Sequence, residues 1–62
     1  MKRRNFMVRL TYRDAAGEMC VEHSDRQART PQEAIRNAIR AKRSSTPRVR
    51  IYGTAAHQYV VL

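Results

Sequence analysis

The sequence predicts an α+β fold, an antiparallel sheet with one helix packed on one face and elements in the order β-β-α-β-β. Three observations predict it. Apolar and polar residues alternate around residues 6–12, 19–23 and 48–52, which is strand periodicity. One stretch, Thr30 to Arg43 (TPQEAIRNAIRAKR), has apolar residues at helical spacing behind a start signal. Turn-forming residues at 14–17, 44–47 and 53–56 separate the periodic runs.

In the first strand Phe6, Val8, Leu10 and Tyr12 alternate with Met7, Arg9, Thr11 and Arg13. Asp14-Ala-Ala-Gly17 supplies a turn, because Asp bonds its own backbone and Gly tolerates positive φ. A second strand follows, with Met19, Val21 and His23 on one face and Glu18, Cys20 and Glu22 on the other. Pairing Arg13 with Glu18 sets Leu10 opposite Val21 and Arg9 opposite Glu22. A one-residue slip would place Leu10 against Glu22 and bury a carboxylate, so the first register is expected. The outer hairpin face would then carry compensated charges. Residues 24–29 read either as the end of this strand or as a loop.

Thr30 is the expected N-cap, Pro31 occupies the first helical position, and Glu33 completes a capping box. Ala34, Ile35, Ala38 and Ile39 form the inward stripe, and Arg36, Arg40 and Arg43 line the outer face. Pro47 ends the helix, since the residue before proline avoids the α region. A third strand carries Val49 and Ile51 on one face and Arg48, Arg50 and Tyr52 on the other. After a turn at Gly53 to Ala56, residues 57–62 read as a fourth strand. Either Tyr59 and Val61, or Val60 and Leu62, would face inward.

The 62 residues allow one small domain with a thin core, preceded by a basic arm at residues 1–4, MKRR. A core this small creates an expectation of self-association, here as a homodimer. Cys20 is the only cysteine, which excludes an internal disulfide and suits a reducing compartment. No apolar run approaches the roughly 18 residues of a membrane span. The opening residues lack the apolar stretch of a signal peptide. A cytoplasmic location with no membrane partner is expected.

Thirteen Lys and Arg face five Asp and Glu, for a formal charge of +8. Only Lys2 and Lys42 are lysine, so the excess is almost wholly guanidinium. Guanidinium groups favour planar, bidentate acceptors such as phosphate and carboxylate. A nucleic acid or nucleoprotein complex is therefore the expected partner; ordinary solubility is the competing explanation.

Catalytic chemistry finds little support. Cys20 and His23 suggest a nucleophile and base, but positions three apart on a strand point to opposite faces. With glycine only at 17 and 53, no phosphate-cradling loop can form. No enzymatic activity, cofactor or metal is expected. Two basic surfaces remain as candidates. One is the helix row Arg36, Arg40 and Arg43, where like charges at i, i+4 cost a few tenths of a kcal/mol and only Glu33 offsets them. The other is Arg48, Arg50 and Tyr52, joined by Arg9 and Arg13 if the helix covers the opposite face. Lys2, Arg3 and Arg4 add a third basic element. A solvated surface is the alternative for each.

The ββαββ order with a T-P-Q-E-A-I helix start resembles small accessory proteins of bacteriophages and mobile elements, some anti-CRISPR proteins among them. That resemblance implies a non-enzymatic domain that docks on a nucleoprotein complex. It also implies basic residues that occupy the path of nucleic acid or recruit it without sequence preference.

Overall fold

The computed structural model describes residues 2–60. Strand β1 (Arg4–Arg13) and strand β2 (Met19–Ala28) form a hairpin, helix α1 (Pro31–Ser45) follows, and strand β3 (Arg50–Tyr59) comes last in order. The sheet is antiparallel and three-stranded, in the order β2-β1-β3, so β1 is central and pairs along both edges. The helix lies over one face and touches all three strands.

The alternation in β1 sets the core. Phe6, Val8 and Leu10 are almost fully buried, whereas Met7 and Arg9 are exposed. From the helix, Ala34 and Ala38 meet this row, with Ile35 and Ile39 packed at its flanks. Alanine at the contact line lets the helix backbone approach the sheet closely enough to enclose Phe6. Ala28 and Val49 complete the buried set, and Tyr12 and Ala56 pack at its margin.

The helix starts where the capping signal places it. Thr30 has extended backbone (φ −137°, ψ 158°), and its hydroxyl oxygen accepts the Glu33 N–H at 3.1 Å. Helix α1 runs two residues past Arg43, to Ser45, and the Thr46 N–H closes it on the Lys42 carbonyl at 2.8 Å. Replacing Thr30 with alanine removes the acceptor and should cost about 1 kcal/mol. For a domain of this size that is a drop of roughly 4–8 °C in Tm, readable by circular dichroism.

Three expectations are corrected. The first is the fourth strand. Gly53 to Ala56 do not turn; β3 continues through them to Tyr59, and residues 61–62 of the expected strand lie outside the described residues. β1 is ten residues long and offers an open edge, so continued pairing satisfies backbone groups that a turn would leave to solvent. The second concerns the chain's start. Arg4 belongs to β1 opposite Ala28, which shortens the described part of the basic arm to Lys2 and Arg3.

The third correction is the hairpin register. Leu10 faces Glu22, Tyr12 faces Cys20 and Arg9 faces His23, which is the one-residue slip that sequence reasoning disfavours. The loop explains it. Asp14 accepts the Gly17 N–H through its carbonyl and the Glu18 N–H through its carboxylate, while its own N–H donates to the Glu18 carbonyl. Gly17 takes φ 84°, which glycine adopts without strain. These bonds hold residues 14–18 as the loop and leave Arg13 and Met19 as the first pair. The carboxylate cost is avoided because β2 is an edge strand. Glu22 remains exposed and forms an ion pair with Lys42 at 3.6 Å.

Candidate nucleic-acid interface

The face of the sheet away from α1 is uncovered. In the observed register it receives Met7, Arg9, Thr11 and Arg13 from β1, and Met19, Val21, His23 and Asp25 from β2. It also receives Gly53, Ala55, His57 and Tyr59 from β3, opposite the same row of β1. Arg50 stands opposite Arg13. The two histidines thus flank β1 on one face, His23 opposite Arg9 and His57 opposite Met7.

A bulge sets the composition of this face. The β1–β3 register shifts between Thr11 and Tyr12, so that Tyr12 pairs with Ile51, Thr11 pairs with Gly53, and Tyr52 is the extra residue. In an unbroken strand Tyr52 and Tyr59 are an odd number of residues apart and would point to opposite faces. The bulge resets the alternation. Arg50, Tyr52, His57 and Tyr59 therefore share the uncovered face, while Val49 and Ile51 turn toward the helix.

Tyr52 is 54% exposed, and the Arg13 guanidinium sits 5.7 Å from its ring centroid. Arg13 also donates through Nη1 to the Gly17 carbonyl at 2.9 Å, which fixes its position over the ring. At the other end the Tyr59 hydroxyl donates to Asp25 Oδ1 at 2.8 Å, reaching across β1. That hydrogen bond pushes the Tyr59 phenol above its usual pKa and keeps it protonated.

The expected charge compensation does not occur on this face. Glu22 lies on the helix side with Lys42, and Arg13 pairs with Met19 rather than Glu18. Among the described residues the Lys42–Glu22 contact is the single salt bridge, so Arg9, Arg13 and Arg50 carry uncompensated charge. Asp25 is the one strand carboxylate on the face among the described residues, at the end opposite Arg13 and Arg50. The face is basic at one end and through its middle.

The remaining candidate residues are dispersed. Arg48 is not in a strand: it occupies a turn in which the Val49 N–H donates to the Thr46 carbonyl at 3.1 Å, with Pro47 preceding it. Arg36, Arg40 and Arg43 are exposed on the outer side of α1, with the helix and sheet layers between them and the open face. No single ligand can lie flat on both. Lys2 and Arg3 are exposed ahead of β1, and Arg4 reaches Gln58 Oε1 at 3.5 Å.

Sequence reasoning misses Met19, Val21 and Tyr59 as exposed neighbours of the arginines on this face. It also misses Lys42, whose ammonium lies 4.1 Å from the Tyr12 ring centroid and closes the helix–β2 edge. Cys20 and His23 do face opposite ways across β2. Cys20 is half-buried, and its thiol donates weakly to Asp14 Oδ2 at 3.7 Å and to the Glu18 carbonyl at 3.6 Å. Desolvation first, and then Asp14, raises its pKa, the reverse of nucleophile activation.

No helix among the described residues is long and apolar enough to cross a membrane. No protein family, curated protein or solved structure matches the chain.

Proposed function

We propose that the chain is a small basic binding module that contacts nucleic acid, or a protein–nucleic-acid complex, through phosphate-directed arginines on its uncovered sheet face. One observation carries this reading. Arg9, Arg13 and Arg50 stand on one open face without carboxylate partners, beside the exposed ring of Tyr52. Holding like charges together on one surface is unfavourable for the isolated protein, and a polyanion relieves it.

Binding of this kind is governed by counterion release. If the three arginines each neutralise one phosphate of a single strand, the slope of log K against log salt is about −2. Affinity should then fall roughly twentyfold between about 50 and 200 mM salt. A fluorescence-anisotropy titration of a labelled oligonucleotide at the two concentrations measures it. Absence of binding at the lower salt would sink the proposal.

A second reading is a protein-directed inhibitor of anti-CRISPR type, docking on a host nuclease or nucleoprotein complex. Exposed Met7, Met19 and Val21 on the same face favour it, because they offer apolar area that phosphates cannot use. Capture of a specific protein with affinity that survives moderate salt would distinguish it from the first reading.

A further inference from the structure

We infer that the uncovered sheet face takes single-stranded rather than duplex nucleic acid, with bases stacked on Tyr52 and Tyr59 and phosphates led along Arg9, Arg13 and Arg50. The inference rests on the nucleic-acid reading above and adds the class of strand to it.

Access to the bases decides first. The molecule measures 39 × 19 × 15 Å, and the sheet is three strands across. The major groove of B-DNA is about 12 Å wide and admits one helix or a two-stranded ribbon. A three-stranded face, its outer strands about 10 Å apart, would fill that width from edge to edge. A duplex keeps its bases paired and stacked, so it offers phosphates and base edges but no open π-face to the exposed rings of Tyr52 and Tyr59.

A single strand uses all of those groups. Its bases are unstacked and present π-faces to aromatic side chains. Both rings are held in advance: Arg13 covers one side of Tyr52, and the Asp25 carboxylate tethers Tyr59 by its hydroxyl. Pre-fixed rings lose little rotamer freedom when a base arrives. The strand from the bulge to Tyr59 spans roughly 20 Å along β3. Several nucleotides of an extended strand fit between the two rings, over Ala55, His57 and Met7. Asp25 repels phosphate at the Tyr59 end, so the backbone path follows the arginines at the other end and in the middle. The stack at Tyr52 is therefore the stronger of the two.

The test is fluorescence anisotropy of labelled oligothymidylate, oligouridylate and a blunt DNA duplex of matched length, at one low salt concentration. Wild type is compared with Tyr52→Ala, Tyr52→Phe and Tyr59→Ala. Tyr52 and Tyr59 lie outside the core, and circular dichroism verifies that the variants keep the fold. The expected result is single-strand binding at least about tenfold tighter than duplex binding. Tyr52→Ala should weaken single-strand binding by roughly tenfold and leave duplex binding unchanged, with the ring-retaining Tyr52→Phe close to wild type. A smaller loss is expected from Tyr59→Ala. Thymidylate and uridylate separate DNA from RNA as the source of the strand. Equal or tighter duplex binding, or an unchanged Tyr52→Ala, would overturn the single-strand assignment while leaving phosphate binding intact. Failure of wild type to bind any of the three at low salt would overturn both.

Discussion

Replacing Phe6 with alanine should leave the chain largely unfolded at 25 °C. Phe6 is 1% exposed on the central strand and belongs to one buried cluster with Val8, Leu10, Ala28, Ala34 and Ala38. Removing a buried phenyl ring costs about 3–5 kcal/mol, from lost transfer energy and from the cavity left behind. A single core in a chain of this length rarely supplies more than about 3–5 kcal/mol of net stability. The core has no second large aromatic and no disulfide to absorb the loss. Met7→Ala, one position along β1, is the control. Met7 is 36% exposed on the opposite face, so its truncation should move the thermal midpoint by only a few degrees. Far-UV circular dichroism melts of the two variants measure this. A cooperative native melt for Phe6→Ala would show that the helix and sheet are held by something other than this apolar row.

Phe6 and the capped helix are legible in the sequence because each depends on neighbours along the chain. The period of two through Phe6, Val8 and Leu10 is a local signal, and so is the Thr30 hydroxyl reaching the Glu33 N–H. Features that depend on partners across space are not. Counting Glu22 opposite Leu10 as a buried carboxylate assumes that both faces of β2 are equally deep. As an edge strand β2 lets Glu22 reach solvent and Lys42, so the penalty expected to decide the register is small. Loop hydrogen bonding around Asp14 and Gly17 then determines the pairing. Met19 and Val21, expected inside, are left outside.

The bulge at Tyr52 escapes sequence reasoning for a related reason. Gly53 reads as the start of a turn, because small residues follow it. An isolated glycine inside a strand pattern equally signals a bulge. What separates the two outcomes is whether a neighbouring strand is long enough to keep pairing, and β1 is. Only with that bulge do Arg50 and Tyr52 fall on the same face as Tyr59, next to Arg9 and Arg13 from β1. Each arginine's local strand therefore reveals members of the surface without its full extent.

Charge reversal should separate the two arginine surfaces by a large factor. Arg9→Glu, Arg13→Glu and Arg50→Glu together replace three attractions for phosphate on the open face with three repulsions. Losing three phosphate contacts removes the whole counterion-release contribution assigned to this face, so binding at about 200 mM salt should fall by about thirtyfold, and further through the three new repulsions. Arg36→Glu, Arg40→Glu and Arg43→Glu produce the same change in net charge on the far side of the helix, where the side chains are also exposed. If the sheet face is the site, the helix variant should lose only the long-range contribution of net charge, roughly tenfold or less, and that loss should fade as salt screens it. The comparison holds net charge constant, so it isolates geometry. In the helix variant two carboxylates take over the i, i+4 relation that Arg36 and Arg40 have, one like-charge pair replacing another. Arg36→Glu also turns the Glu33 contact repulsive and Arg43→Glu opposes the helix dipole, a cost of about 1 kcal/mol together, so circular dichroism verifies the fold of this variant first. Anisotropy titrations at two salt concentrations for both triple variants give the answer. A helix variant that loses more than the sheet variant would move the site to Arg36, Arg40 and Arg43, and with it the assignment of Tyr52 as a stacking platform would fall.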